Sequence, residues 1–287
     1  DLPHDLAAKA DPALIASDEA HFARIAAHLE TTVADLTERL AAERRAPGGG
    51  GQEAMDRDLQ IHRLSARLRL LERFSLEVCL GRIVTGSGQT IYIGRIGLTD
   101  GAGDPLLVDW RSPAAEPFFA ATHARPMGLT SRRRYRWSAG QITDYWDEVF
   151  TAAGLERGTA LDDQSAFIAS LGASRTERMR DVLGTIQADQ DAIIRADSQG
   201  PLVVDGGPGT GKTVVALHRT AFLLYADPRL GHRRGGVLFI GPHQPYLSYV
   251  ADVLPGRHGV ACLDVDAVLP HVRIRGTQRL PADGVLD

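Results

Sequence analysis

The sequence is short of cysteine, of lysine and of long apolar runs, and each shortage closes off a class of protein. Cys79 and Cys262 are the only cysteines in 287 residues. Without a CxxC pair there is neither a zinc-ligand spacing nor a disulfide framework, and a reducing, cytoplasmic setting is expected. No stretch approaches the roughly 18 consecutive apolar residues of a membrane span, so no membrane association is expected. The opening "DLPHDLAAKADP" lacks the basic start and apolar core of a secretory signal. A chain that begins at Asp rather than Met is expected to be a processed or partial product. With a net charge of −4, nothing global draws the chain to nucleic acid, which stays an open partner that charge does not indicate. Lysine is the sharpest shortage: Lys9 and Lys212 are the only two among 32 basic residues. That bias points to a GC-rich genome, such as an actinobacterial one. It also isolates Lys212, because a compact ammonium fits among phosphate oxygens where a planar guanidinium does not.

What is present is patterned. Hydrophobic residues at 44% and charged residues at 24% are ordinary for a folded globular chain of one to three domains. After an N-terminal tail (1–17), Phe22, Ala26, Leu29, Val33, Leu36 and Leu40 form a heptad seam. "PGGGG" (47–51) interrupts it, and Ile61, Leu64, Leu68, Leu71, Ser75 and Val78 form a second seam. Two such helices joined by a short glycine loop predict an antiparallel coiled-coil hairpin over 18–80. From 81 to 150 the texture turns to short segments rich in β-branched and aromatic residues, which predicts a small antiparallel sheet. Residues 151–199 read as a helical connector with two short helices broken near Gly184. From 200 to 287, "PLVVDG", "GGVLFIGP" and "GVACLDV" read as buried strands alternating with helices. That order predicts a partial, RecA-like α/β P-loop NTPase domain with a parallel sheet.

Gly206-Gly207-Pro208-Gly209-Thr210-Gly211-Lys212-Thr213 fits G-x-x-x-x-G-K-[ST] between a predicted strand and a predicted helix. The glycines let backbone N–H groups approach phosphates, and the following helix offers free N–H groups and its positive dipole end. Lys212 is the expected catalytic residue, bridging the β- and γ-phosphates, and the Thr213 hydroxyl is the expected Mg²⁺ ligand. The cofactors expected are ATP or GTP, with magnesium. Gln190, on a helix upstream, has an amide that both donates and accepts and can read an adenine edge. Asp264, with Asp266 beside it, is the only internal candidate for the acid that holds magnesium at a strand end.

"IQADQDAIIRA" with "GGPGTGKTVVALHRTAFLLY" resembles the Q motif and motif I of UvrD-like superfamily 1 helicases, and "VLFIGPHQPYLSYVADVLP" is similar to their motif Ia region. "YIGRIGLTDGAGDPLLVDWRSPAAEPFF" resembles the HelD family, bacterial ATPases that bind RNA polymerase and free it from nucleic acid or inhibitors. The resemblance covers nearly the whole chain in the right order. It implies polymerase core as the partner, engaged through the hairpin, and a protein that works as a monomer. It also implies that the acids and arginines completing hydrolysis lie in motifs later than those present here, which makes Asp264 an ordinary strand end. His243 stands where the family usually has Asn.

Three other stretches carry expectations. "SRRRYRW" (131–137) reads as a half-exposed strand with Tyr135 and Trp137 packed and its arginines solvated, in preference to a nucleic-acid grip. Glu53, Asp56 and Asp58 complement a helix dipole, with an acidic tip that approaches a polymerase's magnesium as the functional alternative. "DWRSPAAEPFF" (109–119) is expected to join the small sheet to the nucleotide-binding part.

Overall fold

The computed structural model describes residues 12–46, 50–73, 76–138, 140–151, 183–230, 236–242, 246–247 and 260–264. Two long helices come first, α1 (Pro12–Arg45) and α2 (Gln52–Arg73). Proline suits the first helical position, where its missing N–H leaves no bond unmade, and α1 therefore starts earlier than the expected Asp18. At 34 residues α1 is about 50 Å long. Near its base Phe22, Ile25 and Leu29 are buried with Leu71 of α2. Farther out Leu40 and Leu64 carry the seam, while Val33 and Leu36 are half-buried. Ile25 lies off the expected heptad yet is fully buried, because the base of α1 packs against the sheet as well as against α2. Val78 is buried in a short 3₁₀ turn after α2 rather than in the helix itself.

The sheet has six strands: β1 (Cys79–Thr85), β2 (Thr90–Gly94), β3 (Leu98–Thr99), β4 (Pro105–Asp109), β5 (Leu129–Ser138) and β6 (Gln141–Val149). Their order is β3-β4-β2-β1-β5-β6. The sheet is mixed, not antiparallel as expected. After β2 the chain steps out to the edge as β3 and returns between the two as β4, which forces β4 to run parallel to β2. Gly81 is where a side chain could not stand: a Cβ there would lie 2.2 Å from the Arg133 carbonyl oxygen and 2.6 Å from the Phe118 ring.

The sheet is the middle of three layers. One face receives the hairpin base, with Phe22, Ile25, Leu29, Tyr92 and Tyr135 in a common core. The other face receives α3 (Glu116–Ala120), α4 (Ala188–Arg195) and α5 (Lys212–Ala226), with Phe118, Phe119, Ile186, Ile194 and Val215 in a second core. The successive arginines of β5 serve both layers. Arg132, Arg133 and Arg134 are only 2%, 3% and 4% exposed, so the expectation of solvated arginines fails. Each has an internal partner set that stands in for water. Arg132 donates to both Glu148 oxygens at 2.6 and 2.9 Å, and to the Phe118 carbonyl. Arg133, pointing the other way, donates to Asp147 and to Asp18 of α1 at 2.7 Å. Arg134 donates to the Gly184 and Ile186 carbonyls, and burial with the adjoining Arg132 charge pulls its pKa down to about 9.

Asp18 is 2% exposed and collects the Arg133 guanidinium, the Tyr92 hydroxyl at 2.7 Å and Arg82 at 2.9 Å. For Arg133, burial opposes the charge, but the bonds and charges of Asp147 and Asp18 outweigh it and raise the pKa. The far end of the chain is less complete. β7 (Val237–Gly241) and β8 (Val260–Asp264) form a two-stranded parallel pair. "PLVVDG", expected as a buried strand, joins no ladder; Leu202 is 47% and Val203 89% exposed. A parallel strand takes its hydrogen bonds from neighbours, and among the described residues β7 and β8 pair only with each other. The described residues therefore show part of an α/β layer, not a complete P-loop NTPase fold.

Asp18→Ala leaves the buried Arg133 and the half-buried Arg82 without their shared carboxylate and is expected to destabilise the fold by about 3–5 kcal/mol. Arg24→Ala, which breaks an ion pair whose arginine is 58% exposed, is expected to cost under about 1 kcal/mol. Urea denaturation of the two variants side by side checks the contrast; equal losses would remove Asp18 from its structural role.

Candidate functional site

The candidate site is assembled from α4, the glycine loop and α5. α5 begins at Lys212, so its first N–H groups have no acceptor within the helix. Gly211 forms the N-cap in the left-handed region at φ +84°, and Gly209 turns the loop at φ +80°. A Cβ on Gly211 would also meet the Gln190 amide nitrogen at 2.9 Å. Both positions therefore demand glycine for reasons the motif already implied. Inside the loop, the Thr210 hydroxyl donates to the Gly207 carbonyl at 2.9 Å, and Asp205 accepts from the Gly206 N–H at 2.7 Å. The Lys212 ammonium folds back over the loop and donates to the Gly206 and Gly207 carbonyls at 2.5 and 2.6 Å. Lys212 and residues 205–210 are exposed, so the cradle opens to solvent.

Gln190 is brought to this loop from α4. Its Oε1 accepts from the Gln187 N–H at 3.1 Å, closing the first turn of α4, while its Nε2 donates to the Thr210 carbonyl at 3.3 Å. A residue singled out from sequence for an adenine edge thus touches the loop itself. The Thr213 hydroxyl accepts from the Tyr246 hydroxyl at 3.3 Å, a contact sequence reading missed. Its one clue was that Tyr246 follows the β7 strand end. Gly206, Gly207, Pro208, Gly209, Thr210 and Gly211 all lie in the one loop, with Lys212 and Thr213 opening the helix. Asp264 ends β8, its backbone paired with Gly241 of β7, while its side chain, Asp266 and His243 lie outside the described residues. Among the described residues no group of three or more His, Cys, Asp or Glu could hold a metal. Glu53, Asp56 and Asp58 sit on the first turns of α2, at the far end of the hairpin.

Two arginines fasten this unit. Arg219 of α5 donates to the carbonyls of Ile193, Ala196 and Asp197 at 2.9, 2.6 and 2.6 Å, satisfying the open carbonyl end of α4. Arg195 of α4 donates to the Trp110 carbonyl at 2.6 Å and pairs with Asp191, tying α4 to the "DWRSP" loop. Trp110 packs edge-on to His218 at 5.6 Å, and Arg111 lies over the Tyr225 ring at 4.7 Å. The loop is the joint expected of it.

This is a mixed-sheet body with a helical hairpin on one face and a lysine-tipped glycine loop on the other. Residues 15–165, just over half of the chain, match the family described as DNA helicase IV HelD, N-terminal domain, and the chain belongs to that family. No curated protein matches it. Among the described residues no helix is long and apolar enough to cross a membrane.

The joint holds two titratable groups with opposed shifts. Burial pushes the Asp191 carboxyl up to about 6 despite Arg195, and burial pulls His218 down to about 4 although its ring nitrogen bonds the Val214 carbonyl. A raised Asp191 contributes stability below its ordinary pKa that is lost as pH rises through about 6. A depressed His218 contributes stability above its ordinary pKa that is lost as pH falls toward about 4. Between roughly pH 4 and 6 the two oppose each other, each by about 1.4 kcal/mol per pH unit. Relative to the parent chain, Asp191→Asn is expected to make stability rise more steeply with pH in that window, and His218→Gln less steeply. Thermal melts across the window check the signs; parallel profiles for all three chains would refute the account.

Proposed function

We propose that the chain is the nucleotide-binding and polymerase-engaging part of an ATP-driven factor that releases or recycles RNA polymerase. The observation that carries this reading is the docking of the glycine loop, through α4 and the Trp110 loop, on the sheet whose other face roots the hairpin. The cradle suits a triphosphate. Glycine fills the positions where a Cβ would strain or clash, and the Lys212 ammonium sits over oxygen acceptors that phosphate oxygens can replace. Bound magnesium would supply charge neutralisation on the phosphates, and the Thr213 hydroxyl is the group that would hold it. Gln190, exchanging its present amide contacts for an adenine edge, would favour adenine over guanine. Lys212 stabilises charge on the transferred phosphoryl group, with hydrolysis completed by the longer protein. Movement of the nucleotide side would then reach the hairpin through the sheet.

The hairpin test must respect its root, because removing residues 18–80 would take Asp18, Phe22 and Ile25 out of the sheet's core. Excising 36–61 with a glycine turn in place keeps that root. In the full-length protein this excision is expected to weaken capture of core polymerase at least ~10-fold, about 1.4 kcal/mol, and to leave nucleotide binding intact. Lys212→Ala is expected to abolish binding of a fluorescent ATP analogue and to leave capture intact, while Gln190→Ala narrows the preference for ATP over GTP. Undiminished polymerase capture after the excision would sink the hairpin role.

The family's description as a DNA helicase supports a second reading, a translocase acting on DNA. That reading expects ATPase activity strongly stimulated by single-stranded DNA and steeply weakened by salt. The polymerase reading expects stimulation by polymerase instead. A Lys212→Ala protein that still releases polymerase would leave a docking module with an inert loop.

A further inference from the structure

We propose, resting on the nucleotide-binding reading of the glycine loop, that Tyr246 is a positioning residue for the cation of that site. Its hydroxyl fixes the Thr213 oxygen that would hold magnesium and ties that oxygen to the end of β7. Tyr246 lies outside the glycine-loop motif, so the motif alone does not assign it.

Thr213 stands in the first turn of α5, which begins at Lys212. Farther along the same helix the Thr220 hydroxyl turns back on the Ala216 carbonyl at 2.9 Å. No carbonyl of α5 lies four residues before Thr213, so that local partner does not exist for it. Its oxygen is met from outside the helix instead, by the Tyr246 hydroxyl at 3.3 Å. A hydroxyl oxygen has two acceptor sites, so the one engaged by Tyr246 leaves the other for a cation. Threonine in a helix divides between two χ1 rotamers, and an outside partner selects one of them. Both side chains are half-buried, which shields the contact from competing water.

The tyrosine is itself held. Its ring lies against Gly241, the last residue of β7. A Cβ at Gly241 would come within 2.8 Å of the Tyr246 ring and 2.6 Å of the Leu247 side chain. Gly241 is not among the glycines with positive φ, so room for these neighbours, rather than backbone freedom, calls for glycine there. Leu247 is buried in one cluster with Leu217 of α5, against which Tyr246 and Phe239 also pack. Leu217 follows Thr213 by four residues and so lies on the same face of the helix. Two consecutive residues beyond β7 thus grip two points on one face of α5.

Magnesium demands near-ideal octahedral geometry, so the placing of each ligand oxygen matters to its affinity. Groups that orient a metal ligand from behind typically change metal affinity ~10–100-fold, and Tyr246 is such a group for Thr213. Lys212 acts on phosphate directly and does not depend on this contact.

The test titrates a fluorescent, non-hydrolysable ATP analogue into the full-length protein, in EDTA and at rising magnesium concentration. Tyr246→Phe keeps the ring on Gly241 and removes only the hydroxyl. It is expected to raise the magnesium concentration for half-maximal tightening ~10-fold, with the affinity in EDTA unmoved. Thr213→Ala is expected to abolish the magnesium-dependent tightening, and adding Tyr246→Phe to it is expected to change nothing more. An unchanged magnesium titration in Tyr246→Phe, an equal loss with and without magnesium, or a further loss on the Thr213→Ala background would each overturn the role of Tyr246 and leave the nucleotide site standing. A parent protein that binds no analogue, or binds it identically with and without magnesium, would overturn the site and this role with it.

Discussion

The structure depends on three neighbouring buried arginines in one strand. A strand points successive side chains to opposite faces, so Arg132, Arg133 and Arg134 cannot share one environment. Burying a guanidinium is costly unless its donors are matched, and here the matches come from different parts of the chain. Arg133 reaches α1 through Asp18; Arg132 reaches β6 through Glu148 and α3 through the Phe118 carbonyl. Arg134 reaches the turn before α4 through the Gly184 and Ile186 carbonyls. The strand is therefore the seam at which all three layers meet, and its charge requirements fix where each layer sits.

From that seam a continuous set of hydrogen bonds leads to the phosphate loop. Asp18 holds Arg133, the next residue holds the turn at Gly184–Ile186, and Gln187 and Gln190 close the first turn of α4. Gln190 then holds the Thr210 carbonyl. In parallel, Arg195 and Arg219 bind backbone carbonyls rather than carboxylates alone, and so fix the path of the chain as well as its charge. Planar guanidinium forks can bridge several acceptors at once, and lysine could not replace them there. The scarcity of lysine acquires a second meaning: arginine does the internal tying, and the single lysine of the site is kept for a loop open to solvent.

Much of the site was legible in the chain. The glycine loop, Lys212 and Thr213 follow from a contiguous motif whose geometry is local, and Gln190 from its place on a helix before that motif. Asp18 was passed over because a carboxylate early in a helix usually faces water, and its partners Arg82, Tyr92 and Arg133 are far off in sequence. Tyr246 was missed for the same reason. The β5 arginines were read as solvated because strand alternation alone cannot reveal that both faces of the sheet are covered. The "PLVVDG" strand misled in the opposite sense, since apolar character favours burial but a ladder needs a neighbour.

The sequence by itself determined what short-range geometry controls: the two heptad helices, the strand-rich middle and the glycine loop that opens α5. Those features need only residue spacing, the freedom of glycine and the periodicity of helices and strands. Only the tertiary structure decided the parallel pairing of β4 with β2, the burial of three arginines and the attachment of Gln190 to Thr210. It also decided a cavity beneath α1, lined by side chains more than a hundred residues apart. Each of these turns on which distant groups meet, and burial makes such meetings decisive by charging the full desolvation cost to any polar group left without a partner.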